Sequence, residues 1–343
     1  MSELRQNILY LTTEGLYIHH ELEVLKVKQK DTVLLSVPLH HLHGIVIFGI
    51  SSVSPSLMQK CLQRGICVSY LTSNGRFLGM VSGSYSGNIL MRSQQFARSR
   101  DEKFCLHLAK AFIAGKIQNS RQLLLRSARE NGDEKEEALL RNSAAELASS
   151  IKNIASVATL DELRGIEGDA AKKYFSALNY CIKKNRSAFE FEKRTRRPPR
   201  SRINALLSFA YSLITNDCVS ACQASGLDPF CGFFHTLRPG RPALALDLVE
   251  ELRPFADRFV LTLINRMQIQ PEDIEEKIGG TYTIKDSARK RLIQSYQERK
   301  HEELTHDFLQ QKCLVMELPF LQARILGRVI RGDTKDYVPF LWR

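Results

Sequence analysis

Between residues 7 and 81, apolar side chains either alternate with polar ones or gather in short β-branched runs, and both patterns belong to strands. The runs ILYLTT, GLYIHHELEVLKVKQ, TVLLSVPLHHL and GIVIFG are separated by Glu14-Gly15, Lys30-Asp31 and Gly44. A short helix is expected over 56–64 with Gly65 as its stop, then the strand ICVSYLT, a turn at Ser73-Asn74-Gly75 and a last strand RFLGMVS. The Gly/Ser-rich stretch 82–88, SGSYSGN, reads as a linker. Beyond it the period lengthens to that of helices, expected over 104–117, 120–130, 134–154, 169–184, 203–223, 243–267, 287–301 and 318–332. The pattern predicts an α+β fold: a β-rich, β-sandwich-like domain over 1–88 and an all-α catalytic domain over 89–343.

Chemistry concentrates in GLDPFCGFFHTLRPGRPALALDLVEELRPFADRF, residues 226–259. His235 lies on an apolar loop, Pro239 and Pro242 bracket Gly240-Arg241 in a turn, and Pro242 suits the start of a helix because its missing N–H is not needed there. On that helix Asp247, Glu250 and Glu251 fall on one stripe about 100° wide. Leu244, Leu248, Leu252, Phe255 and Phe259 fill one flank, and Leu246 and Val249 the other. A helix apolar on both flanks is buried. Buried acids are costly unless paired or bound to a cation. Two readings stay open: a metal held with His235, or ion pairs in which Arg253 or Arg241 neutralises the acids.

Net charge narrows the partner. The 343 residues carry 49 Lys+Arg against 37 Asp+Glu, a formal charge of +12, which points to a polyanion, nucleic acid before an anionic membrane. No apolar run approaches the ~18–20 residues that span a bilayer, and MSELRQN lacks a signal-peptide core. A soluble, cytoplasmic protein is expected. The eight cysteines are scattered without a C-x-x-C pair, so neither a zinc ribbon nor a disulfide framework is suggested, and Cys218 and Cys222 read as small buried thiols. His40, His41 and His43 read as structural or surface residues, because on a strand only two of them face one way and no carboxylate is near.

The stretch 183–202, KKNRSAFEFEKRTRRPPRSR, carries nine Lys or Arg against two Glu, with Phe189 and Phe191 interleaved. That density suits a DNA-backbone track, with Lys193, Arg194, Arg196, Arg197 and Arg200 as candidate phosphate contacts and Arg241 nearby. In 160–174, Arg164-Gly165-Ile166-Glu167-Gly168 comes at the start of a helix, where Glu167 is either a cap or a ligand.

Taken together, RGIEG, RTRRPPRSRINALLSFAYSL, GLDPFCGFFHTLRPGRPALALDLVEELRP, ERKHEEL and FLQARILGRVIRGDTKDYVPFLW resemble the CRISPR adaptation integrase family, a metal-dependent endonuclease family. The C-terminal RGD and YVPFLW resemble its type I-C branch. The resemblance implies a β domain that forms the homodimer, a helical catalytic domain, double-stranded DNA as substrate, and a small second adaptation protein bridging two dimers. It also implies a divalent ion, Mn²⁺ or Mg²⁺, held by Glu167, His235 and Glu250. Such an ion would activate the 3′-OH of a new spacer for attack on a repeat phosphodiester. Asp247 is then a partner that orients His235 or an alternate ligand, and Glu251 is placed to meet a cation such as Arg253. Two positions depart from the family pattern: Ser201-Arg202-Ile203-Asn204 stands where many relatives have Asp-Pro-x-Asn, and Tyr296 where Trp is common. A catalytically silent DNA-binding adaptor and a phosphohydrolase of small substrates are the competing classes.

Overall fold

A computed structural model describes residues 8–73, 75, 77–83, 89–195 and 198–342. Asn74 of the expected turn, residues 84–88 of the expected linker, and Arg196 and Arg197 lie outside the described residues. The chain divides into two compact units, 1–86 with 284–301, and 87–283 with 302–343.

The first unit contains strands β1 (Ile8–Leu11), β2 (Tyr17–Glu21), β3 (Val24–Gln29), β4 (Thr32–Pro38), β5 (Gly44–Phe48) and β6 (Ser52–Val53), helix α1 (Pro55–Gln63), and strands β7 (Cys67–Leu71) and β8 (Phe77–Val81). They form two four-stranded sheets, ordered β1-β5-β7-β8 and β4-β3-β2-β6. Parallel pairing of β1, β5 and β7 buries all of β5, whose GIVIF sequence has no polar side chain to turn outward. One core joins the sheets and α1, drawing Leu11, Ile18, Leu25, Ile45, Ile47, Leu57 and Val68 together. The long run GLYIHHELEVLKVKQ divides into β2 and β3 at Leu22, whose backbone turns through φ 50° without a glycine to announce it. Strand β4 is an edge strand with Val33, Leu34 and Leu35 exposed.

In the second unit α2 (Ile89–Arg98), α3 (Glu102–Arg129), α4 (Glu134–Ile154), α5 (Leu160–Ala177), α6 (Arg202–Ala224) and α7 (Ala243–Asn265) precede the hairpin β9 (Ile274–Lys277) and β10 (Thr281–Ile284). Helix α8 (Asp286–Lys300) groups with the first unit, burying Ala288, Leu292 and Tyr296 at four-residue spacing. A second hairpin, β11 (Glu303–His306) and β12 (Gln311–Leu314), and helix α9 (Leu318–Arg331) complete the chain.

The α+β expectation holds, with a second region that is mostly helical and adds these two hairpins to its helices; the first turns at Gly279 and Gly280, both at positive φ. The helices expected over 104–117 and 120–130 are one, α3, because Asn119 is held in it by tertiary partners rather than ending it. The 160–174 stretch is not the start of a later helix but α5 itself, capped by Thr159. Helix α6 is long and apolar enough in composition to cross a bilayer, yet most of it is buried, packed on α7 and α9. Cys218 and Cys222 are buried on it, where small thiols were expected.

Candidate catalytic site

Helix α7 begins after Pro242 and buries Asp247, Glu250 and Glu251, as its doubly apolar flanks require. Each acid answers its burial differently. Asp247 is the anchor of the histidine loop: Oδ2 accepts from the backbone N–H of Phe233 (2.6 Å) and Phe234 (3.1 Å), and Oδ1 from that of His235 (2.9 Å). Successive backbone donors of this kind form a nest for an anion. The loop comes this close because Gly232 lacks a side chain: a Cβ there would lie 2.8 Å from Asp247 Oδ2 and 2.7 Å from the backbone of Ala243. Asp247 Oδ1 also lies 2.8 Å from His235 Nδ1. An ionised carboxylate there holds the proton on Nδ1 and leaves Nε2 with a lone pair.

That Nε2 faces Glu250, 3.6 Å from Oε1. Arg253 Nε donates to Oε1 at 2.9 Å, so the neutralising role considered for Arg253 is real and belongs to Glu250. Glu250 Oε2 is different. It is buried, and its partner among the described residues is the Lys116 ammonium of α3, 2.7 Å away. Burial pushes the Glu250 carboxyl up, but the cations Arg253 and Lys116 outweigh it and hold it well below the usual carboxylate range. The same Lys116 ammonium pairs with Glu167 on α5. Glu167 is therefore not a cap. It projects from mid-helix, where Gly165 and Gly168 have open space at their absent Cβ positions.

Glu167, His235 and Glu250 thus approach one region from α5, the loop before α7, and α7, and Lys116 lies between the two carboxylates. Among the described residues no three His, Cys, Asp or Glu side chains close directly on one point. The donor set nonetheless fits a hard divalent ion: two carboxylates, an imidazole lone pair, and a buried carboxylate oxygen that already faces a cation, the Lys116 ammonium.

Glu251 corrects an expectation. Among the described residues it meets no cation, because Arg253 turns to Glu250 one residue away; instead its carboxylate accepts from Gln322 Nε2 (2.8 Å), Tyr337 OH (2.7 Å) and the backbone N–H of Phe340 (3.0 Å). Burial pushes its carboxyl up to about 7 against the pull of those three donors. The C-terminal YVPFLW segment is thereby strapped to α7. Asn119 Nδ2 donates to both Glu251 O and Phe340 O, and Gly115 leaves space that a Cβ would contest with Pro339 at 2.6 Å. Replacing Glu251 by Ala strands three buried donors, and we expect it to lower unfolding stability by about 2–4 kcal/mol. Urea unfolding of the two proteins measures the difference.

Several residues of the site carried no local signal. Lys116 is one of 49 cations in the sequence. Arg164 Nη2 donates to Phe234 O at 3.0 Å, tying α5 to the histidine loop, and Gln95 holds that loop's other end through Asp228 and Cys231. A cavity of about 40 Å³ beside Lys116 and Glu167 reaches Tyr174, Tyr211 and Asp257. There both tyrosine hydroxyls donate to Asp257, whose carboxyl burial pushes up to about 6.

The basic loop is less uniform than its composition. Phe189 and Phe191 are core residues, Phe191 stacking on Phe175 at 4.9 Å. Arg194 is corrected from a phosphate contact to an internal brace: it donates to Asn204 Oδ1 (2.7 Å) and Ser208 Oγ (3.0 Å) and lies over the Tyr211 ring. Lys193 and Arg200 are exposed, Arg200 also reaching Gly279 O, and Arg241 is partly exposed in the turn before α7. Ser201, at the position of the departure, caps α6 by accepting from Asn204 N–H, so the substituted sequence keeps the loop's exit into the helix.

The fold defines a class: sheets first, a mostly helical unit after, an architecture shared with a CAS1 protein from Thermotoga maritima (TM-score 0.82, 21% identity, 98% of this chain and 100% of that one). A casposase bound to integration product shares it over 98% of this chain and 95% of its own (TM-score 0.84, 20% identity). So does a chain of a Cas6-RT-Cas1–Cas2 complex (TM-score 0.85, 23% identity), of which this chain spans 36%. Residues 9–298 match the model of the family described as CRISPR associated protein Cas1. The CRISPR-associated endonuclease Cas1 1 of Moorella thermoacetica is 43% identical over 98% of both chains, and the CRISPR-associated endonuclease Cas1 of Leptospira interrogans is 52% identical over 74% of this chain and 100% of its own. The chain belongs to the Cas1 family.

Proposed function

We propose that this protein is a DNA integrase and endonuclease of CRISPR adaptation, joining the 3′-OH of a new spacer to a phosphodiester at the edge of the repeat. The observation that carries the reading is the convergence of three chain segments: Glu167 and Glu250 meet at one ammonium, and His235 Nε2 lies 3.6 Å from Glu250 Oε1. These three side chains would hold Mn²⁺ or Mg²⁺. When bound, the ion polarises a phosphoryl oxygen and favours the nucleophilic form of a hydroxyl. The chain's own residues do the rest: Asp247 keeps the proton on His235 Nδ1, Arg253 limits the charge that Glu250 must carry, and Arg164 and Gln95 fix the loop. Attack in line on phosphorus forms one P–O bond and breaks another, releasing the 3′-OH of the nucleotide on the 5′ side of that phosphate; water in the attacking place gives endonuclease cleavage. The names of the relatives, CRISPR-associated endonucleases, support the same chemistry. Purified protein given duplex with a free 3′-OH and a repeat-bearing plasmid should join them only with a divalent ion. DNA binding with no joining in any divalent ion would favour the silent adaptor.

Lys193, Arg196, Arg197, Arg200 and Arg241 would contact DNA phosphates, with Arg194 bracing the loop from within. Lys193→Glu with Arg200→Glu should weaken binding to all duplex sequences and flatten the slope of log affinity against log salt by about 2. An unchanged slope, read by fluorescence anisotropy, contradicts this role. The homodimer would pair through the first unit, whose β4 edge exposes Val33, Leu34 and Leu35. Such an edge is a template for pairing unless covered. Leu34→Lys in the full chain should give monomers by sedimentation; retained dimers would place the interface elsewhere. A small second adaptation protein bridging two dimers, action in the cytoplasm and the type I-C branch complete the proposal, and the reading frames beside the gene test that subtype.

A further inference from the structure

We propose that Lys116 is the resident counter-ion of the catalytic site, one that a divalent ion must displace to load it. This rests on the metal reading above. Three observations point to it. The ammonium stands between Glu167 and Glu250, two of the three side chains that would bind the ion, so both cations cannot occupy the space at once. Its contact with Glu250 Oε2 is 2.7 Å, and among the described residues that buried oxygen has no other hydrogen-bond donor. Glu250 does not depend on it alone, since Arg253 already pairs with the other oxygen.

The placement of Lys116 is built into the fold. On the same helix Gly115 packs against Pro339, and Asn119 binds Glu251 O and Phe340 O, so α3 is registered against α7 at this turn. The ammonium therefore arrives between the carboxylates whenever the unit is folded. Without it, Glu167 and Glu250 would repel across the empty site, a cost that grows in a partly buried setting. The side chain also lines the cavity beside Glu167, which gives the displaced ammonium somewhere to go. An incoming DNA phosphate is an anion it can then meet, so metal and DNA binding become positively coupled through this residue.

The test is titration of Mn²⁺ without DNA, read by electron paramagnetic resonance of the free ion, on the full-length wild-type chain, Lys116→Met and Lys116→Arg, with Glu250→Gln as the site control. Removing the competitor should tighten Mn²⁺ binding by about tenfold or more, equivalent to about 1.4 kcal/mol. Lys116→Arg, which keeps a cation there, should stay within about threefold of wild type, and Glu250→Gln should lose the site. In melting curves Mn²⁺ should raise Tm more for Lys116→Met than for wild type, which keeps the test valid if the metal-free variant is unstable. If wild type binds Mn²⁺ and Lys116→Met binds it equally or more weakly, the counter-ion role is overturned and the metal reading stands. If wild type and variants alike bind none, the metal reading itself fails, and this role with it.

Discussion

Glu250→Gln is expected to abolish divalent-ion-dependent strand transfer, at least about a thousandfold, while duplex affinity stays within about threefold. Electrostatic groups at a reacting centre carry losses of this order. The side chain keeps its volume, and Arg253 can still donate to the remaining carbonyl oxygen. What disappears is the negative charge and the second oxygen, Oε2, the one that faces the Lys116 ammonium. DNA binding should persist because Glu250 is buried and the exposed cations, Lys193 and Arg200, lie on another segment. Single-turnover strand transfer beside anisotropy binding measures both; a variant that joins DNA at the wild-type rate in limiting Mn²⁺ contradicts the assignment.

Asp247→Asn should have the second largest effect, for a different reason. Asp247 accepts four hydrogen bonds, three from consecutive backbone N–H groups and one from the imidazole. An amide has one accepting oxygen. If that oxygen keeps Phe233 and Phe234, the NH₂ group faces His235 and forces Nδ1 to accept. The imidazole proton then moves to Nε2, removing the lone pair that would bind the ion. A tautomer fault of this type in another enzyme costs roughly 10⁴ in rate. Here we expect a loss of about a hundredfold or more in strand transfer, partly recovered by raising Mn²⁺, together with lower stability from the unsatisfied loop. No recovery at any Mn²⁺ concentration, in a variant whose melting curve is unchanged, would make Asp247 a ligand rather than a holder of the histidine loop.

The sequence carried the parts of this account that depend on local pattern. Leu244, Leu248, Leu252 and Phe255 at helical spacing announced a buried α7, and with it three acids that needed compensation. The period-two runs announced the strands of the first unit. Distant partners were not legible. Nothing in AGKIQN or RGIEGD says that Lys116 reaches Glu167 51 residues away, and nothing in LVEELR that Glu251 is met by Tyr337 at a separation of 86. For that reason Glu251 looked like a site for a cation and is instead the anchor of the C-terminal strap. Charge density misled at Arg194 for a related reason: composition counts cations, while only packing says which of them are enclosed by Asn204, Ser208 and Tyr211. The turns at Leu22 and in the β9–β10 hairpin differ in kind. The Gly279-Gly280 pair was a readable signal inside an acidic stretch, whereas Leu22 offered none.

The central claim is that Glu167, His235 and Glu250 hold one divalent ion at the reacting phosphate. Crystals of the full-length chain soaked in Mn²⁺, with anomalous diffraction recorded at the manganese edge, test it most directly. The account predicts a single strong anomalous peak within coordinating distance of His235 Nε2 and of both carboxylates, with the Lys116 ammonium moved away from it. An anomalous map with no peak there, or with Lys116 still seated between Glu167 and Glu250 and manganese bound elsewhere, would contradict it.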